Sequence, residues 1–413
     1  VDESDELPES QQSGKESGQH FPSSRELRQN TKNPARGVVM LRRMIVLGFG
    51  AIFVLFAGFV AMHAVVPAGE SYSRHTASDS ASLWVRGKPI SGEPKSIFDG
   101  TTPISDPWIV RDEGRYRMWF TLVKDAFTER QTIGIAHAES EDGLRWKTNN
   151  EHVLAPNRGG WDSVGVETAC VVRRPDGGWF MYYTAPLSPE GNHHHGIGLA
   201  TSDDGRKWIR HGTGPLLVGK NEWETPFQDS PNGPRIGGVL EPCVHFDERK
   251  KVYRMWYAGL GKRPDEFGKY RIGYAESEDG ITWRRDQKPV FEPSAIGRWD
   301  DAITSHTHVA FEPDGKLHLF YFGSSTRQYQ ECEELGGAAM TPGSLGHAVS
   351  EDGRNWKRSS ANPILSPRKD SWDSWAVGGP FVMWDQSQFR MWYFSNPRHN
   401  SYNARIGVAT WKP

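Results

Sequence analysis

From about residue 80 to the C-terminus, apolar and polar positions alternate in short runs separated by polar turns. Five runs are aromatic: Met118–Phe120, Met181–Tyr183, Met255–Tyr257, Leu319–Tyr321 and Met391–Tyr393. Each precedes a β-type run with a glycine at its second position: Ile133–Ala136, Ile197–Ala200, Ile272–Ala275, Leu345–Ala348 and Ile406–Ala409. Before each aromatic run lies another apolar run that ends in a polar turn, such as Val171–Val172 followed by Pro175-Asp-Gly177. Aromatic and β-branched residues between Asp-Gly turns predict strands joined by hairpins. No part of this region shows sustained helical periodicity.

Four glycine-bearing runs continue into one phrase: Ser140–Trp146, Ser202–Trp208, Ser277–Trp283 and Ser350–Trp356, each Ser-x-Asp-Gly-x-x-Trp, spaced 62, 75 and 73 residues apart. A phrase repeated at this interval marks one supersecondary unit that buries its face on its neighbours. The unit has four strands, which predicts an all-β chain folded as a five-bladed β-propeller of four antiparallel strands per blade. Two packed sheets or a β-helix are the alternatives. Five first, second and third strands are present but only four fourth strands. The missing one is assigned to Trp84–Ile90, which resembles Trp283–Val290, so that an N-terminal strand completes the last blade.

The N-terminal part divides differently. Residues 1–43 read as a disordered cytoplasmic tail, or as sequence ahead of a true start at Met40. Residues 44–66 carry no Asp, Glu, Lys or Arg and are long enough to span a bilayer. Arg36, Arg42 and Arg43 precede this run, which places the N-terminus in the cytoplasm and the repeats outside. A signal peptide starting at Met40 is the second reading, with secretion instead of anchoring. Either way the domain of residues 80–413, after a linker at 67–79, is exported. With 49 basic and 51 acidic residues the chain offers no argument for nucleic acid. Seventeen tryptophans suit sugar faces as well as core packing. Cys170, Cys243 and Cys332 cannot form a disulfide framework, no spacing resembles a zinc site, and core packing is expected of Cys170 and Cys243.

Alignment of the first strands on their apolar runs puts Asp106, Glu167, Glu241, His306 and Gly379 at one position. In a propeller the first strands converge on the axis, so these side chains would ring one end of the central channel. Long, dissimilar loops at that end are where function is expected. Repulsion and burial raise at least one of three such carboxyl groups, which suits a general acid near neutral pH. Two carboxylates flanking a bond form the constellation for glycoside cleavage. His306 and His308 share a strand face and are expected to contact sugar hydroxyls or a metal ion. His194, in a loop over the pocket, and Arg327, in another, are expected to bind substrate. Trp223, with Phe227, is expected to supply a sugar platform. The Trp-Asp pairs Trp161-Asp162, Trp299-Asp300 and Trp372-Asp373 recur in three blades and are therefore read as structural.

On these residues the chain resembles, over roughly residues 80–413, the five-bladed propeller glycosidases of glycoside hydrolase families 43 and 32. The resemblance implies that Asp106, in Asp106-Pro107, is the base or nucleophile and that Glu241 is the general acid. It implies that Glu167 stands where the families carry an Asp that orients substrate and tunes the acid; the extra methylene is a departure. His306 matches a family-43 histidine near an axial water or metal ion, so no cofactor is required, although an axial calcium or other cation can be accommodated. The family-32 motif around the first Asp is incomplete, which disfavours fructans. The expectation is an exported, monomeric glycoside hydrolase acting on a carbohydrate of pentose or furanose type. The alternatives are an inverting phosphorylase of family 130, which needs a basic cluster for phosphate, and a non-catalytic glycan-binding propeller.

Overall fold

The computed structural model describes residues 84–93, 95–126, 128–187, 193–228, 235–261, 269–334, 341–397 and 404–412. The expected tail, membrane span or signal and linker fall outside the described residues. Among the described residues no helix is long and apolar enough to cross a membrane.

The described chain is all-β, built from five antiparallel repeats. Their inner strands are Ile104–Asp112, Glu167–Arg173, Arg235–Asp247, Ile303–Phe311 and Ala376–Asp385. Each pairs with an aromatic second strand, which pairs in turn with the glycine-bearing third strand. Hydrogen bonding divides the strands into three sheets. The inner strands pack side by side in the order one to two, two to three, three to four, four to five and five to one. The core follows the second strands, whose Trp119, Tyr182, Trp256, Phe320 and Trp392 are fully buried.

The repeated phrase makes identical turns. In repeat one the Ser140 hydroxyl accepts the Gly143 amide at 2.8 Å, and Asp142 Oδ1 accepts the amides of Leu144 and Arg145, each at 2.8 Å. The glycine carbonyl then receives an indole or phenol from the preceding repeat. Trp392 donates to Gly143 at 2.9 Å, Trp119 to Gly205 at 3.0 Å, Tyr182 to Gly280 at 2.7 Å and Trp256 to Gly353 at 2.8 Å. The fifth member of the series is Phe320, which has no donor. It meets Trp84 edge-on instead, at 5.8 Å between centroids. Repeat five has no Ser-x-Asp-Gly turn to receive a donor, so an apolar contact replaces the hydrogen bond there.

Val85–Pro89 lies antiparallel against Arg405–Trp411 and supplies the outer strand of repeat five. The next residues, Ser91–Glu93, pair with the outer strand of repeat one. One short segment therefore ties the last repeat to the first.

Two features depart from the sequence expectation. The fourth strands of repeats two to four are two-residue pieces at Ile209–Arg210, Arg284–Arg285 and Lys357–Arg358, and the chain rejoins the third strand at Leu217, Phe291 and Leu365. Pro215, Pro289 and Pro363 lie in the detours, where a missing amide cannot serve the ladder. Repeat one has no proline there, and its strand runs on from Arg145 to Leu154. The second departure is a helix at Thr326–Glu334, in a segment read as loop. Ser325 and Gln328 cap it reciprocally: the Gln328 amide donates to Ser325 Oγ at 3.2 Å and the Ser325 amide to Gln328 Oε1 at 3.1 Å.

Candidate active site

Each inner strand carries a β-bulge near its start. Two residues, Asp106-Pro107, Thr168-Ala169, Glu241-Pro242, His306-Thr307 or Gly379-Pro380, oppose a single residue of the second strand. The first of each pair has positive φ: 51°, 51°, 55°, 43° and 52°. Non-glycine residues held there cost about 1–3 kcal/mol each, and bulges re-aim side chains. All five repeats share the device, so the bulge belongs to the architecture. The side chain it presents differs in every repeat but the two acids, and that asymmetry marks a site.

The bulge amides need partners. Thr168 donates its amide to Thr121 Oγ1 at 3.0 Å, and Glu241 donates its amide to Thr184 Oγ1 at 2.8 Å. The equivalent of those threonines in repeat three is Ala258, which offers no oxygen. The Glu241 carboxylate takes its place and accepts the His306 amide at Oε2, 2.5 Å away. The His306 ring also reaches it, with Nδ1 3.1 Å from Oε1. The opposite ring nitrogen, Nε2, lies 3.4 Å from Asp106 Oδ1. One imidazole thus stands between two carboxylates. Asp106 Oδ2 accepts the Ser105 hydroxyl at 2.7 Å, whereas buried Oδ1 has only the longer contact to the His306 ring. Gly379 completes the row: a Cβ there would lie 2.5 Å from the Phe394 ring and 3.3 Å from Asp106 Oδ1. Its lack of a side chain leaves room beside that oxygen.

Electrostatics follow from this crowding. Burial raises the Glu241 carboxyl; the His306 charge opposes that without cancelling it, and Asp106 adds to the rise. Burial, then Asp106 and Glu241, push Glu167 well above the usual carboxylate range. Burial acts against charge on His306, but Glu241 and then Asp106 outweigh it and lift the ring to about 9.

The structure corrects several sequence expectations. Glu167 is not at the bulge: it pairs with Thr184 one position earlier, and Thr168 holds the place of Asp106 and Glu241. Its longer side chain still brings a buried carboxyl to the same group. The bulge is the same in every repeat; the offset of one arose because the apolar run Ala169–Val172 accepts two registers against its counterparts, and only the pairing of Cys170 with Tyr182 decides between them.

Trp223 is no platform. It is buried and stacked on Tyr257, as Trp161 stacks on Tyr183, Trp299 on Tyr321 and Trp372 on Tyr393. Trp223-Glu224 is the repeat-three version of the Trp-Asp pair: Glu224 receives Tyr257 at 3.2 Å and Arg285 at 2.6 Å, as Asp162 receives Tyr183 and Arg210. Phe227 is half-buried beside Ile236 and packs against the core.

His194 lies in a strand, not a loop. Residues His193–His195 run parallel to Ile236–Gly238, and a Cβ at Gly238 would sit 2.3 Å from the His195 carbonyl, so glycine permits the approach. Arg327 is on the capped helix, exposed, in an ion pair with Glu331. His308 is buried two residues farther along the same strand and is not among the contacts of Asp106 or Glu241. Of the expected site residues, the structure gathers Asp106, Glu167, Glu241 and His306. Sequence reasoning missed Thr184 and Tyr270. Burial, then Glu241, raises the Tyr270 hydroxyl well above its usual range, with Glu167 also contributing, so this phenol neighbours two of the acids. A threonine in an otherwise aromatic strand was the available signal for Thr184.

The likeness to known proteins follows the same line. No family model matches the chain. The uncharacterized protein Rv1502 of Mycobacterium tuberculosis (strain ATCC 25618 / H37Rv) is 27% identical over 253 residues, covering 59% of this chain and 71% of that protein. The A type blood N-acetyl-alpha-D-galactosamine deacetylase of Flavonifractor plautii is 27% identical over 146 residues, 34% of this chain and 17% of that protein. A beta-1,2-mannobiose phosphorylase of Thermoanaerobacter sp. (strain X514) is 28% identical over 110 residues, 27% of this chain and 35% of that protein. Among solved structures, a glycoside hydrolase superposes with a TM-score of 0.59 at 20% identity, covering 80% of this chain and 91% of that one. A thermostable family-43 glycoside hydrolase gives 0.56 at 19%, covering 79% and 92%. A member of the family-130 mannoside phosphorylases, a family containing hydrolases of β-1,2-mannosidic linkages, gives 0.53 at 16%, covering 84% and 96%. The chain therefore has the propeller-type fold of these solved structures.

Proposed function

We propose that the five repeats are blades around one channel and that the protein is a glycoside hydrolase. The observation that carries this reading is the pair formed by Asp106 and Glu241 on either side of the His306 ring. Glu241, raised by burial, donates its proton to the glycosidic oxygen as that bond breaks. Asp106 Oδ1, buried and with the His306 ring as its neighbour at 3.4 Å, takes a proton from the attacking water. Glu167, held toward its neutral form by burial and by both acids, keeps the charge of the group low, and Tyr270 neighbours it. At most, two contact lengths plus the width of an imidazole separate the carboxylates. Those contacts, 3.1 and 3.4 Å, set an upper limit on the separation that admits the ~6.5–9.5 Å of an inverting pair, which is the reading adopted here.

Phosphorolysis is the second reading, favoured by the mannobiose phosphorylase among the relatives. It keeps the acid and replaces water by phosphate. A panel of aryl glycosides and oligosaccharides, including pentosides, mannosides and N-acetylated sugars, assayed with and without phosphate, separates the two. Phosphate-independent release supports hydrolysis. Sugar phosphate as product overturns it, and release of acetate alone overturns both.

We further propose that the repeats are exported, on the charge-free run 44–66 and the arginines before it. An alkaline phosphatase fusion after residue 80 is expected to be active. Activity of a cytoplasmic reporter alone at that point would overturn the assignment.

A further inference from the structure

Below the carboxylates, the channel carries a second cluster that the proposed reaction does not use. The next inward residues of the five inner strands are Trp108, Cys170, Cys243, His308 and Phe381, followed in repeat three by His245. The ligand atoms of Cys243, His245 and His308 all lie within 4.8 Å of one another. Cys243 Sγ is already 3.5 Å from His245 Nε2. Bonds of ~2.0–2.3 Å to a tetrahedral ion place neighbouring donors ~3.5 Å apart, so one edge is preformed and a small side-chain adjustment closes the others.

The surroundings of each donor are those of a ligand. Metal-bound imidazoles hold their other ring nitrogen on a carbonyl or carboxylate. The Val309 backbone lies against His245 and the Val382 backbone against His308, where each can serve a ring nitrogen. His308 is 2% exposed, and its Nδ1 is buried with no hydrogen-bond partner. A buried imidazole nitrogen left in this way is costly unless something occupies its lone pair. Cys243 Sγ accepts the Val309 amide at 3.3 Å, a contact that favours a thiolate. Trp108 and Phe381 wall the cluster, with centroids 5.1 and 4.3 Å from the His308 ring, and exclude bulk water. His245 is only half-buried and leaves a way in.

We propose that Cys243, His245 and His308 bind a zinc ion in the central channel. One thiolate and two imidazoles suit a borderline-soft divalent ion, and binding transfers the Cys243 thiol proton to solvent. The ion joins the inner strands of repeats three and four. Glu241 and His306 lie two residues before Cys243 and His308 on those same strands, so the ion pins the backbone beneath them. The assignment does not depend on the reaction catalysed. Sequence spacing hid it, because His308 is distant in the chain and only the convergence of two strands brings it to Cys243.

The test uses the full-length protein, stripped with a chelator and titrated with Co²⁺ and with Zn²⁺. Wild type is expected to bind one ion per chain, to show a thiolate-to-cobalt charge-transfer band and to melt at a higher temperature with Zn²⁺. Cys243→Ser is expected to abolish the band and to weaken Zn²⁺ binding by more than the ~10–100-fold that loss of an outer partner costs. Cys170→Ser and Cys332→Ser are expected to keep both. Should Cys243→Ser fail to fold, the wild-type cobalt spectrum and the loss of affinity in His308→Ala decide the matter. Absence of the band in wild type, or equal loss in Cys170→Ser, would overturn the proposal.

Discussion

His306 holds Glu241 twice: its main-chain amide donates to Oε2 at 2.5 Å, and its ring Nδ1 sits 3.1 Å from Oε1. The double contact exists because Ala258 replaces the threonine that serves the equivalent amide in the two preceding repeats. Phe322 and Phe394 stand at that position in repeats four and five, so only repeats one and two carry the threonine, and at the His306 amide the acid itself is the acceptor.

Replacement of the acid and the base should separate their roles. Glu241→Gln keeps the acceptor for the His306 amide but loses the proton. The rate on unactivated substrates is expected to fall about 10²–10⁴-fold, with a smaller loss on aryl glycosides whose leaving group needs no proton. Asp106→Asn is expected to abolish turnover of both kinds. Steady-state rates in variants with unchanged circular dichroism provide the check; a wild-type rate in either would refute the assignment.

The separation of the carboxylates leads to a stereochemical expectation. Proton NMR of the first-formed sugar, before mutarotation, is expected to show inverted anomeric configuration. Retained configuration would mean that His306 leaves its place between Asp106 and Glu241 when substrate binds.

Thr184 is a positioning residue. Its buried hydroxyl accepts the Glu241 amide at 2.8 Å and also meets Thr168 Oγ1 at 2.5 Å. Thr184→Val leaves a buried amide unmatched, at about 1–3 kcal/mol. Denaturant unfolding should register that loss, and kcat should fall with little change in KM. Thr184→Ser is expected to restore both, which a purely packing role would not explain.

Arg86 links the N-terminal strand to repeat five through Asp373, at 2.9 Å, with both side chains buried. Arg368 shares the same carboxylate. Arg86→Ala is expected to destabilise the protein by about 3 kcal/mol, near the lower end for a broken buried pair because Arg368 remains. An unchanged melting temperature would mean that the strand adds little to the fold.

The repeated turns predict acid sensitivity. Asp142, Asp204 and Asp279 are each lowered to about 2. At Asp142 and Asp279 burial opposes ionisation but the turn amides outweigh it; at Asp204 the amides of Lys207 and Arg206 lead. The folded state favours the ionised form, so this stability is complete above the ordinary aspartate range near ~4 and is lost as pH falls toward about 2. Melting temperature should drop across that window. The combined Asp142→Asn and Asp279→Asn variant should show a shallower drop; a parallel curve would place the acid sensitivity elsewhere.

The sequence by itself determined the repeat. Aromatic runs, glycine-bearing strands and Ser-x-Asp-Gly phrases are local signals, each dictated by backbone geometry at its own position, and they named the strands, the turns and the N-terminal strand that pairs with Arg405–Trp411. Asp106, Glu241 and His306 were also legible, because they precede readable apolar runs. Three things were decided only by tertiary structure. The apolar run Ala169–Val172 accepts two registers, so Glu167 could not be told from its neighbour Thr168 until strand pairing placed Cys170 opposite Tyr182. Trp223 looked like a surface platform until its stacking on Tyr257 made it the fourth copy of a packing pair. The joining of Cys243 and His245 to His308 needs two strands to converge on one axis, and no pattern along a single strand encodes that convergence.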